Sequence, residues 1–396
     1  MGADTPKGNP AGPSSVAGKP KARMIYAASD KNADMLYATG VFVPDPFLYL
    51  RARNRVYLLV NAMELARVKR EARADRVFSY DEIIALGRSG RTGGPEGISE
   101  MCMTLFRTLD VARIEVPASF PLGLADELRK RGMVVQAAAD PFFPGRAVKN
   151  VRERAWIRKA QEAAAHGMRV AWEALKSARV KPGRRRDLVL GTEPLTSERV
   201  QSLIQKAILD KGCVATQTIV AGGRQGADPH ERGRGALRAG EPIIVDIFPR
   251  CEVSGYHGDM TRTFLKGVAS ERIRGMYHAV REAQVYALST IRPGALSRTV
   301  HRGILELFRR LGFPKREEDG RTVGFIHGTG HGLGLDVHEH PRLGERSCRL
   351  REGNVVTVEP GLYYPDVGGI RLEDVVWIGR ARAHKIGGVP YVLEIP

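Results

Sequence analysis

An aspartate in the middle of a continuous apolar run constrains this chain more than any other feature. In Ile243-Ile244-Val245-Asp246-Ile247-Phe248 every neighbour of Asp246 belongs in a dry interior. An ionised carboxylate there is costly unless its charge is compensated. Asp259 follows after a Val-Ser-Gly turn able to fold a second strand back beside the first. Three later segments repeat the anomaly. FIHGTGHGLGLDVHEH offers His327, His331 and His338 among glycines that permit close backbone approach. Spacing alone does not decide which of these imidazoles would bind metal. VVTVEPGLYY ends an apolar strand on Glu359, and GGIRLEDVVWI places Arg371 and Glu373 two apart, on one face of a strand. Such an arginine would hold a carboxylate ionised and oriented.

Gathered together, Asp246, Asp259, Glu359 and Glu373 bring four negative charges into one place. That cluster is untenable unless two divalent cations, or several protons, neutralise it. Carboxylate oxygens with one or two imidazoles suit manganese, cobalt or zinc and not copper(I) or an iron–sulfur centre. Two such ions about 3.5–4 Å apart can share a bridging water and polarise a carbonyl. The expected chemistry is metal-assisted hydrolysis.

The ordered set Asp, Asp-x-Thr-Arg-Thr, His-Gly-x-Gly-His-Gly-x-Gly-Leu-x-x-His-Glu, Glu-Pro-Gly and Arg-x-Glu-Asp runs from Asp246 to Asp374. It resembles the pita-bread metallopeptidases, the family of methionine aminopeptidase, aminopeptidase P and prolidase. The resemblance implies that Asp246 chelates one metal, that Asp259 and Glu373 bridge two, and that His331 and Glu359 complete the second site. It makes Glu359 the acceptor of the proton from the attacking water. His230, in AGGRQGADPHERG, and His338 match the histidines that contact the scissile peptide, while His327 and Arg371 match supporting groups. The stretch NADMLYATGVFVPDPFLYL resembles the non-catalytic domain of prolidase, aminopeptidase P and creatinase. Creatinase lacks the metal ligands, whereas all five stand here. Two departures matter. The interval from Asp246 to Asp259 is long for the family, with an insertion at Pro249 to Ser254. Thr216 stands where relatives commonly place an aromatic, usually Tyr.

The implied organisation is a disordered tail over residues 1–23, an α/β creatinase-like domain over 24–148, and an α+β pita-bread catalytic domain with a curved antiparallel sheet over 149–396. Apolar and amphipathic patterning agrees. Arg55–Val60 and Val111–Val116 read as strands, and Asp81–Leu86 and Leu122–Arg131 as helices. Gly87 to Gly97 reads as a flexible loop, and without a Gly-Lys-Ser it is no phosphate-binding loop. A long helix runs from about Val151 to Ala178, and Thr196, Ser270 and Ser297 read as helix caps. The four cysteines, Cys102, Cys213, Cys251 and Cys348, match no zinc spacing and read as free thiols of a cytoplasmic protein. No apolar run is long enough to span a membrane, and no secretory h-region opens the chain.

A formal charge of +18 and the loop Gly183-Arg184-Arg185-Arg186 would suit phosphates. Acidic residues are interleaved throughout and no nucleic-acid motif accompanies the charge, so a solvated basic surface is expected. The resemblance implies hydrolysis of the peptide bond preceding proline, by a homodimer carrying two divalent ions per chain, manganese first. A dipeptidase is favoured over an aminopeptidase acting on longer peptides. A dipeptidase must hold the substrate's free carboxylate, and Arg342, Arg346 and Arg349 are candidates, with Arg346 preferred. The rival of another class is a metal-free basic binding module on a retired peptidase fold.

Overall fold

The computed structural model describes residues 21–88 and 97–396. Two compact units divide between Pro144 and Gly145, slightly earlier than the boundary expected after residue 148. The reason is local: Asn354 Nδ2 donates to Ala147 O at 2.7 Å, and Val148 bridges Asn354. Of the segment expected as tail, residues 1–20 lie outside the described residues, while Lys21–Arg23 open the first strand. Of the glycine-rich stretch, residues 89–96 lie outside them too, and Gly87 and Arg88 end a helix, Tyr80–Arg88.

The first unit is an α/β layer built on β1 (Lys21–Ala27), β2 (Phe47–Ala52), β3 (Arg55–Val60), β4 (Arg76–Ser79), β5 (Arg113–Val116) and β6 (Val134–Ala137), in spatial order β4-β3-β2-β1-β5-β6. β1, β2 and β3 form an antiparallel meander. β4 and β6 pair parallel to the strands that precede them. A parallel return needs a crossover, and helices Ala62–Glu71 and Leu122–Lys130 provide those two.

The second unit is α+β. Its first sheet orders Ile219–Gly222, Ile243–Ile247, Met260–Lys266 and Glu394–Ile395. Its second orders Glu339–Leu343, Gly330–Gly332, Val355–Val358, Asp374–Ile378 and Ala383–Lys385. The pairings are antiparallel apart from the short Glu394–Ile395 edge. Helix Val151–Ser177 opens on a capping box between Asn150 and Glu153, and with Ser197–Leu209 it packs on the first sheet through Ala164, Met168, Ile204 and Ile208. Helices Glu271–Thr290 and Ser297–Arg310 pack on the second through Met276, Val280, Ile304 and Phe308. Thr196 and Ser270 cap as expected. Ser297 does not. It is the first helical residue, and its hydroxyl instead accepts from Cys348 N at 3.0 Å and donates to Arg346 O at 3.3 Å.

Strand alternation then sorts the side chains. Ile243, Val245, Met260 and Phe264 face the first helix pair; Ile370, Leu372, Val376 and Ile378 face the second. Asp246, Asp259, Thr261, Arg371 and Glu373 fall on the opposite parity and share one hydrogen-bonded cluster.

Buried charge also sits on the helix side. Arg262, fully buried, donates to Asp374 Oδ1 at 2.9 Å, to Glu373 O at 2.7 Å and to Val389 O at 2.9 Å. Gln284 donates to the other Asp374 oxygen at 2.9 Å. Removing Arg262 leaves Asp374 only the partly exposed Lys385 Nζ, 3.0 Å from its Oδ2, as a cation. Arg262→Met is therefore expected to cost about 3–5 kcal/mol in urea unfolding; a loss below about 1 kcal/mol would show that Lys385 alone balances Asp374.

Candidate metal centre

Asp259 is placed by its backbone. Gln161, buried on the long helix, accepts from Asp259 N at 2.8 Å and donates to Asp259 O at 2.7 Å. Asp246 lies on the neighbouring strand, in register with Thr261. Thr261 Oγ1 donates to Glu373 Oε2 at 2.8 Å, and Glu373 N donates to Thr261 O at 3.0 Å. His331 sits between Gly330 and Gly332 because nothing larger fits. A Cβ at Gly330 would lie 2.1 Å from Thr357 O, and one at Gly332 2.2 Å from His340 O. Those contacts bring His331 against Glu359, with Nε2 to Oε1 at 3.3 Å, and 3.8 Å from Asp259 Oδ2.

Ligand atoms of Asp259, His331 and Glu373 all lie within 4.8 Å of one another, in burial. His331 Nδ1 stands 3.2 Å from Gly332 O, so that nitrogen carries the proton and Nε2 turns a bare lone pair toward two carboxylates. Burial, then the neighbouring His338, holds His331 down to about 3, so the ring is neutral. Asp246 Oδ1 is buried without a hydrogen-bond partner. Burial and mutual repulsion raise Asp259 and Glu373 well above the carboxylate range, and burial pushes Glu359 up to about 7. A lone pair and several carboxylate oxygens converging without enough protons is a donor set that cations complete. The residues present fit divalent metal.

Arg371 organises the other flank. It donates to Asp246 Oδ2 at 2.8 Å, to Tyr363 OH at 2.9 Å and to Thr261 Oγ1 at 3.3 Å. His327 Nδ1 faces Gly328 O at 2.7 Å, so Nε2 accepts from Tyr363 OH at 2.8 Å. Tyr363 was not singled out in the sequence. The signal was there: it lies an even number of residues after Glu359, on the same face if the extended chain continues. Thr216 is exposed.

A cavity of about 830 Å³ opens over the cluster and includes His230, His338 and Arg342 in its wall. The His338 ring stands 4.3 Å from that of His331. Its loop is pinned by Glu339, which pairs with Lys149 and, at 2.6 Å, with Arg146. The structure sets Arg342 and Arg346 apart. Arg342 lies on the strand bordering the cavity, whereas Arg346 lies past that strand's end, in an exposed loop anchored on Ser297, and is not in the cavity wall. Arg349 turns away to Gly294 O at 2.9 Å.

Fold and cluster together define a metal-dependent hydrolase of the pita-bread class. Comparison with known proteins agrees: the model of metallopeptidase family M24 matches residues 155–380. The chain belongs to metallopeptidase family M24. It is 28% identical over 280 residues to the Xaa-Pro dipeptidase of Pyrococcus horikoshii, covering 70% of this chain and 73% of that protein. Among solved structures, the prolidase from Pyrococcus furiosus shares the fold with a TM-score of 0.75 at 23% identity, over 93% of this chain and 96% of that one. An X-Pro aminopeptidase from Thermotoga maritima does so with 0.77 at 23%, over 95% and 97%. Among the described residues no helix is long and apolar enough to cross a membrane.

Proposed function

We propose that this metallopeptidase is an Xaa-Pro dipeptidase that holds two divalent ions, manganese foremost with zinc or cobalt as substitutes, and works as a cytoplasmic homodimer. The single observation that carries the substrate reading is Arg342 on the cavity wall beside the carboxylate cluster. A guanidinium there suits the free carboxylate of a substrate that ends at proline. The Xaa-Pro dipeptidase relative supports the same reading. Unpaired thiols support a reducing compartment, while the dimer and manganese rest on the family resemblance. Intact ligands disfavour the metal-free binding module.

Asp246, Asp259, His331, Glu359 and Glu373 would hold the ions, which supply Lewis acidity and an activated water at neutral pH. The protein's own groups do the rest. Arg371 aims Asp246 through a 2.8 Å charge-assisted hydrogen bond. Glu359, near neutrality by burial, is the carboxylate suited to take a proton from the attacking water. His230 and His338 border the cavity from separate loops and would donate to the oxyanion of the tetrahedral intermediate. Arg342 fixes the substrate's far end.

With manganese added back to chelated enzyme, Ala-Pro is expected to turn over and Ala-Pro-Ala to be ignored. Arg342→Met should raise KM for Ala-Pro roughly 10- to 100-fold with little change in kcat, the loss of one charge-assisted contact. Comparable turnover of the tripeptide would reassign the enzyme as an aminopeptidase. An unchanged KM would remove Arg342 from substrate binding.

A further inference from the structure

The insertion between the two metal-binding aspartates carries a group that peptide hydrolysis does not use. Cys213 and Cys251 face each other in register across a two-stranded antiparallel pair, Cys213–Val214 with Arg250–Cys251. The position is of the non-hydrogen-bonded kind. Cys251 N donates to Tyr256 O at 2.9 Å, and the ladder bond runs from Glu252 N to Gly212 O at 3.1 Å. At such positions opposed side chains approach most closely, within the Cα separation a disulfide accepts. Both thiols are buried. They take part in no metal-holding group of side chains among the described residues. This is a dithiol, not a cation site.

We propose that Cys213 and Cys251 form a reversible dithiol–disulfide site, whose oxidation clamps the Pro249–Ser254 insertion to the strand following helix Ser197–Leu209. The segment so closed contains Asp246, and the insertion leads directly to Asp259. The clamp therefore bears on the turn between two metal ligands. Cys251, two residues from the exposed Val253, is the attacking sulfur, and interaction between the two sulfurs lowers Cys251 while it raises Cys213. Access comes by local opening, since both strands have only two residues and Val253 beside them is 66% exposed. The oxidant is a small-molecule disulfide. The Cys251 sulfur attacks it and expels one thiolate; the Cys213 sulfur then attacks the Cys251 sulfur of the mixed disulfide and expels the second. The two thiol protons and the two electrons end on the released pair of small thiols.

The test is to incubate the metal-loaded, full-length protein with oxidised glutathione, alkylate it and map its peptides. The expected result is a Cys213–Cys251 linked peptide, with Cys102 and Cys348 still alkylated. The melting midpoint should rise by on the order of 5 °C, fall back with dithiothreitol, and fail to rise in Cys213→Ala. Full alkylation of Cys213 and Cys251 after oxidation would overturn the proposal. So would a linked peptide without any rise in the midpoint, or the same rise in Cys213→Ala.

Discussion

Glu373→Gln is expected to cut kcat/KM for Ala-Pro by more than about 10²-fold, since partners one layer further from a metal already cost roughly 10- to 100-fold. The amide keeps the acceptor that Thr261 Oγ1 meets at 2.8 Å, so the side chain stays in place. What it loses is the charge and the second oxygen that would ligate metal. Where an oxygen faced Asp259, an N–H₂ donor would now stand. The same change relieves the carboxylate repulsion that raises Glu373 and Asp259. Without metal the variant should therefore unfold at a higher temperature than the parent while binding less manganese. Asp246→Asn should match it in activity, because Arg371 would lose its charged partner along with the ligand. Elemental analysis, initial rates and melting curves check all three. Unchanged turnover in either variant would remove that residue from the metal centre, and with both unchanged the hydrolytic reading fails.

Chelated enzyme is expected to lose stability as pH rises from about 4 to about 7, and to regain it when a divalent ion is added. The direction follows from Glu359, which burial pushes up to about 7, and from Asp259 and Glu373, both raised. A carboxyl bound more tightly to its proton when folded contributes stability that is fully present below its unfolded value, near 4. As pH climbs, the unfolded chain releases the proton while the folded chain retains it, so the contribution is lost by the folded value. For Glu359 alone this is on the order of 3 kcal/mol. Cations replace those protons at neutral pH and add about 2.7 kcal/mol at a hundred times their Kd. Melting curves from pH 4.5 to 7.5, with chelator and with manganese, should therefore diverge upward in pH. Parallel curves would mean that these carboxylates are not crowded, and the two-ion reading would lose its electrostatic basis.

The sequence by itself determined the donor types and their faces. Asp246 inside an apolar strand, the Arg371–Glu373 spacing and the glycines around His331 are local patterns, and strand parity converts them into a shared side of the sheet. It also showed the α/β and α+β halves, because apolar periodicity is written within each element. Tertiary structure alone decided what depends on separate strands meeting. Tyr363 joins Arg371 to His327, Gln161 holds Asp259 from a distant helix, and Arg342 reaches the cavity where Arg346 does not. Cys213 and Cys251 become neighbours, and Ser297 binds a loop instead of capping its helix. Proximity between segments far apart in the chain is set by sheet register and core packing. No window of sequence contains that information.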